Sequence, residues 1–118
     1  MHTVPLPDGG VVVRKPWFYI LLSLASSDRY GSDIQEDVHS LSKGEVRLWP
    51  ATLYGSLEEL AAKRWIRELG PPEEPGSAAG RSRWYRITRD GRAALVDEVE
   101  RREALARVAR GRLAKGGA

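Results

Sequence analysis

The chain of 118 residues contains no cysteine, one methionine and one phenylalanine. The absence of cysteine excludes disulfides, thiolate zinc sites, iron–sulfur clusters and cysteine nucleophiles. The longest dense apolar run, residues 17–25, is about half of the ~20 residues that a transmembrane helix needs. Residues 1–15 lack an apolar segment behind a basic start, so we expect no signal peptide. These absences predict a soluble, cytoplasmic protein with no membrane partner.

Histidine is also scarce, since only His2 and His39 are present. No helical face combines His39 with two further metal ligands, and no nucleophile has a positioned base. The glycine-containing stretch 76–80 lacks the strand-to-helix setting of a phosphate-binding loop. We therefore predict that the protein is not an enzyme and holds neither a metal nor a cofactor. An apolar content of 42% with 30% charged residues predicts a single globular domain.

The net charge of +3 is modest, but it is unevenly distributed. Residues 81–92 hold five arginines against one aspartate, whereas residues 28–41 hold four carboxylates against one arginine. The positive charge is therefore local. A basic cluster of this kind favours contact with phosphates, while the acidic segment would be repelled by them.

The N-terminal half predicts an arm followed by three helices. Residues 1–15 are an extended arm, and Pro16 suits the first turn of a helix that is apolar on nearly all sides. Such a helix lies in a core, in a subunit interface, or in both. Ser32 and Gln35 fit a capping box for a helix over residues 31–41, and residues 46–48 fit a brief strand.

Pro50 opens a third helix, whose inward stripe is Leu53, Leu57 and Leu60. Its free face carries small polar residues, Thr52 and Ser56 among them, that permit close approach. Strands then follow at 65–69 and 81–87 around a loop rich in proline and glycine, which together form a wing. On the wing, Tyr85 and Ile87 are expected to face the core together with Ile66 and Leu69.

Thr88 is the expected N-cap of a last helix that extends to about residue 113. This helix has apolar positions at a 3.5-residue spacing that only an arginine interrupts, which is typical of a helix paired with another helix. A second copy of the chain is the simplest partner. The predicted dimer interface consists of Trp17, Leu21, Leu95, Val99, Arg102, Ala106, Ala109 and Leu113.

The order of these elements is that of a winged helix-turn-helix with an added C-terminal helix. We therefore predict a mainly α fold with a small β-wing: an N-terminal arm (1–15), a winged-helix DNA-binding domain (16–89), and a C-terminal dimerisation helix with its tail (90–118). A helix about 10–12 Å across fits the major groove of double-stranded DNA, and wing arginines can neutralise phosphates.

Three segments, YGSDIQEDV (30–38), LWPATLYGSLEEL (48–60) and GRSRWYRITRDG (80–91), resemble the signature blocks of the PadR family of bacterial transcriptional regulators. The likeness covers about residues 16–110. It implies a homodimeric regulator of the repressor type, whose third helix enters the major groove and whose last helix forms the dimer. Carried over by position, it implies roles at Tyr30, Thr52, Tyr54, Gly80, Arg81 and Arg83. To these the free face of the third helix adds Ser56.

The family often responds to small aromatic effectors near the dimer interface, for which Trp17 and Phe18 are the candidate residues here. Trp49 departs from the family pattern, since it stands where a polar helix cap is expected, and it packs on the scaffold or meets DNA sugars. Arg64 stands where the family has a glycine before the first wing strand, and glycine is the residue that readily adopts positive φ in a turn. The acidic segment leaves open an alternative from another class, a winged helix that binds proteins and has no role on DNA.

Overall fold

A computed structural model describes residues 15–70 and 83–116, and its elements confirm the predicted fold class. The helices are α1 (Lys15–Leu24), α2 (Gly31–Leu41), α3 (Pro50–Ala62) and α4 (Arg89–Gly116). The strands are β1 (Arg29–Tyr30), β2 (Ile66–Leu69) and β3 (Trp84–Ile87). The predicted arm lies outside the described residues apart from Lys15, which belongs to α1.

The strands form one antiparallel sheet in the order β1-β3-β2. Ile66 lies opposite Ile87 and Leu69 lies opposite Trp84, so Leu69 is on the outer face, away from the buried Tyr85 and Ile87. The prediction that Leu69 faces the core was therefore wrong. Leu69 is three residues after Ile66. Because successive side chains of a strand point to opposite faces of the sheet, these two residues lie on opposite faces.

The predicted strand at residues 46–48 was also wrong, because this segment is an extended linker without strand partners. Two of its backbone groups bond to side chains instead: Val46 N–H donates to Ser42 Oγ at 2.8 Å, and the carbonyl of Leu48 accepts from the amide of Gln35. Gln35 thus serves the linker rather than a capping box. The N-cap of α2 is Tyr30, which makes no side-chain capping bond.

The core surrounds α1, which contacts α2, α3, α4 and β3. The apolar all-round sequence of α1 is explained by its packing against these four elements. Its core residues are joined by the stripes of α2 and α3, by the wing strands and by one residue of α4: Trp17, Ile20, Leu21, Leu24, Ile34, Val38, Leu48, Leu53, Leu57, Leu60, Ile66, Tyr85, Ile87 and Leu95.

Two motif glycines are explained by close approach. A Cβ on Gly31 would lie 2.9 Å from the hydroxyl of Tyr54. The absence of a side chain at residue 31 therefore lets the Tyr54 ring of α3 pack against the start of α2. A Cβ on Gly91 would lie 1.9 Å from the carbonyl oxygen of Trp65. The YG segment therefore packs against the ATLY segment, and the T-x-x-G segment packs against the turn before β2.

Thr88 caps α4 as predicted, because its Oγ1 accepts from the N–H of Gly91 at 3.0 Å. The same hydroxyl donates to the carbonyl of Arg64 at 2.6 Å. Arg64 adopts φ 65°, so the left-handed turn before β2 is present although the residue is not glycine. With 28 residues, α4 is about 42 Å long, and residues 101–116 are all exposed.

Candidate nucleic-acid interface

The exposed start of α3 is the surface that a recognition helix would present to DNA. Pro50, at the first helical position, and Thr52 are exposed, as the sequence predicts for Thr52. Ser56 is buried at 7% exposure, so its predicted contact with a groove is contradicted. Ser56 follows Leu53 by three residues and precedes Leu60 by four, and this spacing places it within the buried stripe.

Two tyrosines flank this surface where α2 begins. Tyr54 is half-buried, with its hydroxyl over Gly31. Tyr30 is half-buried as well, and its ring packs edge-on against Trp84 with centroids 4.5 Å apart. The N–H of Gly31 donates to the carbonyl of Arg83 at 2.9 Å. The structure thus brings both predicted tyrosines close to Arg83, which directly precedes β3.

Arg83 is exposed, but it has a partner on the neighbouring strand. Its Nη1 lies 2.6 Å from Oε2 of Glu68. The hydrogen bond with Glu68, together with the charge of that carboxylate, raises the pKa of the Arg83 guanidinium above its ordinary value. A phosphate would compete with Glu68 for this guanidinium. Arg81 and Gly80, the other predicted wing residues, lie outside the described residues.

Beneath this ion pair, Tyr85 is buried at 4% exposure. Burial is the main cause that raises its pKa to about 12, and the charge of Glu68 adds to the effect. Tyr85 therefore keeps its proton at any physiological pH. Its role here is to support the wing rather than to titrate.

Trp49 and Arg47 extend the surface beyond the predicted residues. Trp49 is 61% exposed, and the guanidinium carbon of Arg47 lies 5.3 Å from its ring centroid. Both line a cleft of about 310 Å³ between the linker and α2, with Gln35, Glu36 and His39 on the opposite side. Sequence reasoning singled out Trp49 but missed Arg47, because the linker was interpreted as a strand.

The predicted dimer interface divides into two groups. Trp17 and Leu21 are buried at 4% and 0% inside the subunit, so their assignment to a surface between copies is contradicted. Leu95 is buried against the same core and Val99 is half-buried. The remaining predicted residues, Arg102, Ala106, Ala109 and Leu113, are exposed.

The exposed half of α4 also carries apolar residues outside the predicted stripe. These are Leu105, which is 68% exposed, and Val108, which is 48% exposed; Leu113 of the predicted stripe is 76% exposed. Arg102 lies with its guanidinium carbon 4.0 Å from the ring centroid of Phe18 and donates to Glu98 at 2.9 Å. The apolar surface of α4 is therefore wider than a heptad stripe.

The two candidate ligand residues differ in accessibility. The indole N–H of Trp17 donates to Oε1 of Glu59 at 3.3 Å, and its ring packs edge-on against Trp65. A ligand could not reach this buried ring without rearrangement of the core, so Trp17 is not a surface for an effector. Phe18 is half-buried beneath Arg102 and beside Tyr19, at a centroid distance of 5.7 Å.

The part of the chain that the structure describes contains no group of three His, Cys, Asp or Glu side chains that could hold a metal ion. Within the same residues, no helix combines the length and the apolar character needed to cross a bilayer.

Comparison with known proteins connects this geometry to a family. The model of the transcriptional regulator PadR-like family matches residues 20–97. An uncharacterized Lysinibacillus sphaericus protein is 30% identical over 81 residues, which is 69% of this chain and 72% of that protein.

Solved structures give the same fold. A PadR family transcription regulator from Clostridium difficile R20291 is similar at a TM-score of 0.64 and 23% identity, covering 82% of this chain and 98% of that one. BpsR of Bordetella bronchiseptica, whose DNA binding is regulated by 6-hydroxynicotinic acid, is similar at a TM-score of 0.60 and 20% identity, covering 88% of this chain and 68% of that one.

Proposed function

Because the chain belongs to the PadR-like family of transcriptional regulators, we propose that it is a homodimeric DNA-binding regulator that acts as a repressor in the cytoplasm. The observation that carries the proposal is the exposed start of α3 beside Tyr54 and the wing arginine Arg83. A helix end flanked by a cationic hairpin matches the shape and charge of a duplex, whose groove admits the helix while its phosphates meet the hairpin.

In this proposal Thr52 contacts base edges in the major groove, and neighbouring side chains contact the DNA backbone. The hydroxyls of Tyr30 and Tyr54 and the guanidinium of Arg83 contact phosphates, joined by Arg81 from the wing. The acidic residues of α2 repel phosphates, which restricts α2 to an orientation across the groove rather than along the backbone.

The proposed dimer is supported by the exposed end of α4. An isolated helix of this kind gains little stability in water, and a second copy would cover Leu105, Val108 and Leu113. A symmetric pair would present two copies of α3, which must lie about 34 Å apart to enter successive major grooves.

We further propose that a small aromatic effector shifts this spacing. The support is the half-buried ring of Phe18 at the root of the exposed part of α4, together with the regulation of BpsR by an aromatic acid. An effector changes DNA affinity only to the extent that it binds the two dimer arrangements differently.

The test begins with selection of bound duplexes from a random pool, followed by fluorescence anisotropy titrations at several salt concentrations. The variant Arg81→Ala/Arg83→Ala should bind all duplexes more weakly, and its salt slope should fall by about 0.9 per lost phosphate contact. Arg107→Ala/Arg110→Ala is the matched control, since it removes the same two positive charges from exposed sites on α4. An unchanged slope would refute the wing assignment.

Failure of the wild-type protein to bind any duplex at physiological salt would refute DNA binding and favour the protein-interaction alternative. Light scattering tests the dimer separately. The wild-type protein should be dimeric at micromolar concentration, and Leu105→Glu/Leu113→Glu should be monomeric. A wild-type monomer would remove the proposed groove spacing.

A further inference from the structure

Trp49 is the most exposed aromatic side chain of the described residues, at 61% exposure, and it stands immediately before α3. It is the N-cap residue of that helix, with φ −67° and ψ 155°. An indole has no acceptor for the free N–H groups of the first turn, and no side-chain capping bond is formed. Trp49 therefore neither caps the helix nor fills the core.

The linker holds this ring in place from both sides. Leu48, just before it, is buried at 2%, and its carbonyl accepts from Gln35. Pro50, just after it, fixes the backbone as the first residue of α3. Arg47 lies against the indole at 5.3 Å, a cation–π distance. The exposed ring thus stands between a buried leucine and a helical proline, contacts a cation, and lies three residues before Thr52 at the start of α3.

We propose that Trp49 determines operator specificity by packing against the 5-methyl group of a thymine in the major groove. The proposal rests on the DNA binding proposed above. Residues at the start of a recognition helix reach base edges, and the thymine methyl is the apolar group that the major groove displays. Arg47 positions the indole, and its own charge faces the phosphates that border the groove.

The chemistry predicts a defined loss when that methyl group is removed. Each thymine of a selected duplex is replaced in turn by deoxyuridine, which lacks only the methyl group, and affinity is measured by anisotropy. Wild-type binding should weaken about fourfold per half-site at one position, because the favourable burial of one methyl group is lost. Trp49→Ala should bind the thymine and deoxyuridine duplexes equally.

A second variant excludes misfolding as the cause. Trp49→Ser supplies the missing cap acceptor, so its thermal unfolding temperature should rise while its discrimination between thymine and deoxyuridine disappears. Leu41→Ala is the matched control, because it removes another exposed apolar side chain. Leu41 is 42% exposed and is the last residue of α2. This control should keep the wild-type discrimination.

Three results would overturn the inference, and they separate it from the proposed function. If Trp49→Ala keeps the wild-type sensitivity at every thymine, Trp49 does not read the methyl group. If Trp49→Ala weakens binding to both duplexes equally, and wild-type affinity is the same with thymine and deoxyuridine at every position, the indole contacts sugar instead. If the wild-type protein binds no duplex, both this inference and DNA binding are wrong.

Discussion

Gly91 allows α4 to start against the turn that precedes β2, and we predict that Gly91→Ala destabilises the fold. The added Cβ would lie 1.9 Å from the carbonyl oxygen of Trp65 and 2.8 Å from its carbonyl carbon. These are backbone atoms, so no rotamer change relieves the contact. The first turn of α4 would have to move away by about 1 Å or more to reach ordinary van der Waals separation.

The size of the effect follows from what that movement breaks. The N–H of Thr88 donates to the carbonyl of Trp65 at 2.9 Å, and the hydroxyl of Thr88 donates to Arg64 at 2.6 Å. Losing these two bonds costs about 1 kcal/mol each, and overpacking costs about 1–3 kcal/mol. The helix propensity of alanine returns about 1 kcal/mol. We expect a net loss of about 3 kcal/mol in the free energy of unfolding.

Urea denaturation followed by circular dichroism, at one fixed protein concentration, measures this loss. Gly111→Ala is the matched control, since it lies in the same helix and its Cβ would meet no atom of the described residues within 4 Å. That variant should gain about 0.5–1 kcal/mol. If Gly91→Ala were as stable as Gly111→Ala, the close contact between α4 and Trp65 would be refuted.

Three other predictions concern the turn and the wing. Arg64→Gly should raise the free energy of unfolding by about 0.5–1 kcal/mol, because φ 65° favours glycine; a urea midpoint equal to that of Arg64→Ala would contradict the left-handed turn. Glu68→Gln should free Arg83 for phosphates and strengthen duplex binding about threefold at low salt, and unchanged affinity in anisotropy titrations would mean that the ion pair does not compete with DNA. Burial raises the pKa of Tyr85 to about 12, so the unfolded chain releases this proton first as the pH rises. Stability should therefore fall by up to about 1.4 kcal/mol per pH unit between pH 10 and 12, and urea titrations of Tyr85→Phe should lack this component.

The elements that the sequence predicted correctly depend on local signals. Pro50 starts α3, Thr88 caps α4, and alternation in β3 buries Tyr85 and Ile87. Each signal acts within a few residues of the element that it defines. β1 was missed because its two residues are ordered by pairing with β3, more than fifty positions along the chain.

The site was harder to predict because its geometry depends on register and on packing between elements. Ser56 lies at the edge of the α3 stripe, and only the packed structure shows on which side that edge falls. Glu68 lies opposite Tyr85, and this register places it within reach of Arg83. The pairing of the two strands across a long loop cannot be counted from the sequence. The sequence of α1 fits both a core helix and an interface helix. Only its packing neighbours in the structure show that Trp17 and Leu21 belong to the core.

The junction at Gly91 also limits how an effector could act on the proposed dimer. Hydrogen bonds from Thr88 join the start of α4 to Arg64 and Trp65, directly after α3. The ring of Trp65 packs in turn against Trp17 at a centroid distance of 6.0 Å. These contacts join the start of α4 to the segment directly after α3, so bending at the junction would break them. In the proposed dimer, the spacing of the two copies of α3 would be set where the copies of α4 meet, and an effector would have to bind at or beside that surface to change it.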